Sequence, residues 1–108
     1  MTPGLREFKG ATLRVAVPES VPEDMRHGLR ELLSVHASNP RKGQATALMH
    51  EVCAEADRSG FVLMLRPEPF GDGMTQDMLE AFYGRFGFTR IQAEPVVLMC
   101  RDPRRHVH

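Results

Sequence analysis

Hydrophobic and polar positions alternate over Ala11 to Val17, where Leu13, Val15 and Val17 recur at every second residue before Pro18 interrupts the run. A period of two is that of a half-buried strand. Pro22 to Arg30 is polar and predicts a short helical turn, with a helix over Pro22 to Leu33 as the competing reading. Glu31-Leu-Leu-Ser-Val-His36 resumes the strand pattern, with Leu33 and Val35 on one face. Ser38, Asn39 and Pro40 mark Ala37 to Lys42 as a loop.

From Gly43 the period changes. Ala45, Leu48, Met49, Val52, Cys53 and Ala56 repeat at three-and-four spacing, while His50, Glu51, Glu55 and Asp57 face elsewhere, so an amphipathic helix is predicted, stopped at Gly60. Phe61 to Leu65 is a continuous apolar run, as a strand covered on both faces in the middle of a sheet requires. Pro67 to Gly73 is a loop. Thr75 then caps a helix carrying Met78, Leu79, Phe82, Tyr83 and Phe86 on one side, ended by Gly87. Phe88 to Ala93 and Val96 to Arg101 are strand candidates joined by a Glu94-Pro95 turn, and Asp102 to His108 reads as a polar, basic, flexible tail. Helix, buried strand, helix, strand is the alternation of an α/β (α+β) protein with a terminal hairpin.

Composition narrows the picture. A chain of 108 residues, 42% hydrophobic, supports one core and so a single domain. Its 14 basic and 14 acidic residues cancel, so no long-range charge recruits a nucleic acid or a membrane. Cys53 and Cys100 fall in apolar stretches, which fits reduced thiols and a cytoplasmic protein. No apolar run is long enough for a membrane span.

Two segments carry candidate chemistry. Pro40-Arg-Lys-Gly-Gln-Ala45 opens the long helix, where unpaired amides and the helix dipole form a positive pole suited to phosphate. Gly43 permits close approach there, and Arg41 and Lys42 add charge. A solvated helix cap is the plain alternative. Phe82-Tyr-Gly-Arg-Phe-Gly-Phe88 places the only tyrosine near a helix end. A phenol with a reference pKa of about 10 is protonated at neutral pH and can supply a proton to a leaving thiolate. The plain alternative is a core tyrosine bonded to a carbonyl.

Together the segments resemble the GNAT superfamily of N-acetyltransferases. Val35-His-Ala-Ser-Asn-Pro-Arg-Lys-Gly-Gln-Ala45 is similar to that family's coenzyme-binding motif, and Gln76 to Phe88 to its second motif, matched at Tyr83 and Gly87-Phe88. They stand in the family's order, over about residues 30 to 101. Pro40 replaces the usual Arg or Gln, Gln76 replaces an asparagine, and the family's customary N-terminal strand and helices are expected to be largely absent.

The resemblance implies a mixed sheet with central splayed parallel strands flanked by helices, acetyl-CoA as co-substrate, an amine acceptor and no metal. It assigns the pyrophosphate to Arg41, Lys42, Gly43, Gln44, Ala45 and Thr46, with Gln76 contributing, and runs the pantetheine arm beside Leu33 and Val35. A backbone amide near Val35 would steady the oxyanion, Tyr83 would act as general acid, and Glu31, His36 or water would serve as base. A non-catalytic module that binds acyl-CoA or a protein is the rival on the same fold, and the short N-terminal half suggests a homodimer that completes the acceptor site. Zinc at His50 and Cys53 with His106 and His108 lacks a Cys-x-x-Cys pair. Nucleic-acid binding by Arg101, Arg104 and Arg105 competes with a plain basic tail.

Overall fold

The structure, a computed structural model, describes residues 1–39 and 43–104. Six strands form one mixed sheet: β1 (Gly4–Phe8), β2 (Ala11–Ala16), β3 (Leu29–Ala37), β4 (Val62–Leu65), β5 (Thr89–Gln92) and β6 (Leu98–Arg101), in the spatial order β1-β2-β3-β4-β6-β5. β3 and β4 are parallel and every other pair is antiparallel. A 3-10 helix (Glu23–Gly28) precedes β3, α1 (Gln44–Ser59) crosses from β3 to β4, and α2 (Gln76–Gly84) leads from β4 to β5. The polar Pro22 to Arg30 segment is thus a short helical turn followed by strand.

The periodicities account for the core. Every residue predicted for the inner face of α1 is buried, in one cluster with Leu13 and Val15 of β2 and Leu63 and Leu65 of β4. Burial of a residue such as Leu48 or Val52 is worth about 1.5–3 kcal/mol. Gly60 ends α1 with φ 75°, and the amides of Gly60 and Phe61 both donate to the Ala56 carbonyl. Thr75 caps α2 by accepting a hydrogen bond from the Met78 amide at 3.2 Å. That helix stops at Gly84 rather than Gly87, with Gly87 reversing the chain at φ 97°. β4 lies between β3 and β6, as its unbroken apolar run requires.

The N-terminus departs from expectation. Gly4–Phe8 pairs with β2 through a two-residue turn in which Lys9 (φ 52°) and Gly10 (φ 89°) both have positive φ. Turns of that kind match strand twist. The hairpin also braces the loop before α1, because the Ser38 amide donates to the Gly10 carbonyl, and a Cβ at Gly10 would run into the Gln44 side chain. An N-terminal strand is therefore present where it was expected to be missing, and among the described residues the 3-10 turn is the helical element before β3. Both α-helices cover the same face of the sheet: His50 of α1 meets Phe86, just beyond α2, with ring centroids 5.0 Å apart. Among the described residues no α-helix packs on the other face.

β3 contains the irregularity that shapes the site. Leu33 lies opposite Arg14 and His36 opposite Thr12, so Ser34 and Val35 together face the single residue Leu13. Ser34 takes φ 55° at this bulge. The extra residue inverts the alternation. Leu33 therefore points away from the helices while Val35 packs against the core, and the two do not share a face.

Candidate functional site

β3 and β4 pair from Leu29 opposite Val62 to Leu32 opposite Leu65 and then part. β3 continues to Ala37, whereas Pro67 and Pro69, which lack amide donors, follow close behind β4 and cannot prolong the ladder. The opening is a cleft of about 240 Å³, lined by Leu33, Ser34 and Val35 on one side, Leu65, Arg66 and Glu68 on the other, and Tyr83.

Tyr83 reaches this cleft from the inner face of α2. It is 2% exposed, edge-on to Phe82 and Phe88. Among the described residues its hydroxyl has no hydrogen-bond partner, and no buried side-chain nitrogen or oxygen is left unpaired. The hydroxyl oxygen therefore has access to the cleft. Burial, reinforced by the Glu68 carboxylate, pushes the phenol well above its ordinary value, so it stays protonated throughout the neutral range.

A second cleft, of about 490 Å³, lies where α1 begins and is lined by Asn39, Gly43, Ala45 and Thr46 together with Phe70, Phe82 and Arg85. It neighbours the first: Pro69 lines one and Phe70 the other, as do Tyr83 and Phe82. Gly43 holds φ 70° at the helix start and offers no side-chain cap, leaving the first amides of α1 unpaired among the described residues. Gln44 is turned back instead, its Oε1 accepting from the Asn39 amide at 2.7 Å and the Ser38 hydroxyl at 3.1 Å. Such an N-terminus offers donors and a positive potential to an anion.

The predicted residues thus divide. Leu33, Val35 and Tyr83 gather at the first cleft; Gly43, Ala45 and Thr46 gather at the second. Arg41 and Lys42 lie outside the described residues. Gln76 is apart from both, donating to Glu80 at 3.3 Å at the exposed start of α2. Glu31 is on the helix-free face, 4.0 Å from Arg66, and His36 is exposed on that same face opposite Thr12.

Arg85 went unrecognised in the sequence. It stands two residues after Tyr83, and its guanidinium lies 5.2 Å from the Phe82 ring centroid at the second cleft; a cation three residues after a core aromatic on a helix was the available signal.

Arg101 is misplaced by the basic-tail reading. It is 3% exposed, donating to the Phe86 carbonyl at 2.6 Å and, bidentate, to Asp57 at 2.9 and 3.0 Å. It is therefore closed to nucleic acid. Arg104 donates its amide to the same carboxylate at 2.7 Å, while Arg105, His106 and His108 lie outside the described residues. His50 is engaged with Phe86, and Cys53 is buried.

Burial pushes the Cys53 thiol up to about 11 and also raises that of the half-buried Cys100. Since the thiolate is the nucleophile, a disulfide reagent at pH 7.5 is expected to modify Cys53 only on unfolding, after Cys100 has reacted. Two fast equivalents in the native protein, resolved by peptide mapping, would contradict this burial.

No protein-family model matches the sequence, and no curated protein does. Solved structures are similar. An anti-CRISPR protein, AcrVA5, superposes with a TM-score of 0.68 at 20% identity over 93% of this chain and 98% of its own. A putative acetyltransferase of the GNAT family from Desulfovibrio desulfuricans gives 0.58 at 15% identity, and an acyl-CoA N-acyltransferase from Pseudomonas aeruginosa gives 0.54 at 21%, each over 90% of this chain. The chain spans 64% and 65% of those two acyltransferases. The fold is that of the GNAT acetyltransferases, and the likeness extends well beyond residues 30 to 101. No helix among the described residues is long and apolar enough to cross a membrane.

Proposed function

We propose that the chain is a cytoplasmic, acetyl-CoA-dependent N-acetyltransferase. The observation that carries this reading is a buried phenol in the gap between two parting parallel strands, next to a helix start, with hydroxyl and first amides both unpaired among the described residues. The diphosphate rests on the amides of Gly43 to Thr46, with Arg85 supplying charge and Arg41 and Lys42 adding to it. The pantetheine arm follows the second half of β3 past Leu33 and Val35, which places the thioester near Tyr83.

The neutral amine attacks the acetyl carbonyl carbon, forming a C–N bond. The bulge amides at Ser34 and Val35 steady the oxyanion, the C–S bond breaks, and Tyr83 gives its proton to the thiolate. The proton lost by the amine passes through Glu31 or water to solvent, from which the phenolate is reprotonated. Amine and acetyl-CoA thus yield amide and free thiol, with no covalent intermediate on the protein.

Coenzyme binding tests the foundation. A ligand held only by the native state at 100 times its Kd adds about 2.7 kcal/mol. For a chain of this size that raises Tm by roughly 10 °C or more. A melt unmoved by saturating acetyl-CoA would remove the coenzyme from the assignment.

A further inference from the structure

The helix-free face of the sheet carries its own hollow, of about 480 Å³, beside the point where β3 and β4 part. Its apolar floor includes Leu33, Met64 and Leu98. Among the described residues that line it, the charged groups are the carboxylates of Glu19 and Glu31 and the guanidinium of Arg66. Leu33 and Arg66 line both this hollow and the Tyr83 cleft on the other side, so only the parted strand ends separate the two.

We infer that this hollow is the acceptor site and that it takes a primary amine on an unbranched aliphatic stem, with Glu19 and Glu31 drawing in the ammonium group and Leu33, Met64 and Leu98 receiving the methylenes. The inference rests on the acetyl-transfer reading above. Two carboxylates against one guanidinium leave the lining net negative, which favours a cation and disfavours an amine that also bears an acidic group. Glu31 is free to engage a newcomer: its side chain is 16% exposed, its contact to Arg66 is long at 4.0 Å, and among the described residues it accepts no hydrogen bond. Among the described residues that line it, none carries an aromatic ring to stack on an arylamine. An amine entering from this side meets the acetyl group across Leu33, on the side of the sheet opposite Tyr83. Nucleophile and leaving thiolate are then served from different faces.

The test is thiol release from acetyl-CoA with n-alkylamines of increasing length, a diaminoalkane, a short lysine peptide, an arylamine and an aminoalkane sulfonate, with melts in acetyl-CoA run on the same protein. Each added methylene is expected to raise kcat/KM about fourfold until the floor is covered. Activity shared by diamine and peptide would mark a site that reads only the amine and its stem. Preference for one identifies the source of that chemistry. Exposed Glu19→Gln is expected to raise the alkylamine KM about threefold with kcat unchanged, and the Glu19→Gln/Glu31→Gln pair to raise it about tenfold. Coenzyme stabilisation should persist in all variants. Arylamine or sulfonate turnover equal to that of alkylamines, an unmoved KM in the double variant, or coenzyme binding with no amine turned over would each overturn the acceptor assignment while leaving coenzyme binding intact. Loss of the coenzyme shift in the unaltered protein would instead overturn the reading beneath it.

Discussion

Replacing Tyr83 with Phe is expected to lower acetyl-transfer turnover about 100-fold or more, the usual worth of a positioned general acid, while acetyl-CoA still raises the melting temperature as in the unaltered protein. The substitution removes one oxygen and keeps the ring that packs edge-on against Phe82 and Phe88. Because the hydroxyl has no protein partner among the described residues, no buried group is orphaned, and Tm should move by little more than a degree. The effect should therefore fall on kcat, and the raised phenol keeps the acid form across the neutral range, so Tyr83 imposes no alkaline loss there. Full turnover in the variant would hand the proton to water. An unaltered protein that binds coenzyme yet releases no thiol would favour a binding module.

The largest expected loss of stability comes from Asp57→Ala. Arg101 is almost wholly enclosed and satisfies its guanidinium with the Asp57 carboxylate and the Phe86 carbonyl. Removing the carboxylate strands a buried cation, at about 3–5 kcal/mol, a large share of the 5–15 kcal/mol that holds a typical domain. Chemical denaturation should show the midpoint falling with little change in slope. A loss below about 1 kcal/mol would mean that the guanidinium is solvated after all.

The same pair sets a pH dependence. The hydrogen bonds from Arg101, then that from the Arg104 amide, hold the Asp57 carboxyl below its ordinary value. Its contribution is complete above the unfolded carboxylate pKa of about 4 and is lost as pH falls through the lower folded value. Acid unfolding of Asp57→Ala should accordingly be shallower than that of the unaltered protein.

Legibility in the sequence followed locality. α1 and β4 were readable because a three-and-four repeat and an unbroken apolar run each leave one arrangement that hides their apolar surface. β1 escaped because its inward position Arg6 is polar, bonded to Glu55 of α1 at 3.1 and 3.2 Å, so the alternation that betrays a strand is masked. The bulge had no signal: Ser34 is neither glycine nor proline, yet it inverts the order of Leu33 and Val35. Motif spacing paired Tyr83 with the β3 residues, and they meet at one cleft although the bulge turns Leu33 and Val35 to opposite faces. The Arg101–Asp57 pair joins residues 44 apart and depends on how α1 and β6 meet, which no local window contains.

The single extra residue at Ser34 makes β3 two half-strands out of phase. Upstream, Glu31 and Leu33 are presented to the uncovered side; downstream, Val35 and Ala37 are committed to the interior. Within a few residues, one segment lines both the hollow on the uncovered face and the Tyr83 cleft on the other. A lengthening by one amino acid thus lets a single strand serve both sides of the sheet at the point where its parallel neighbour leaves it.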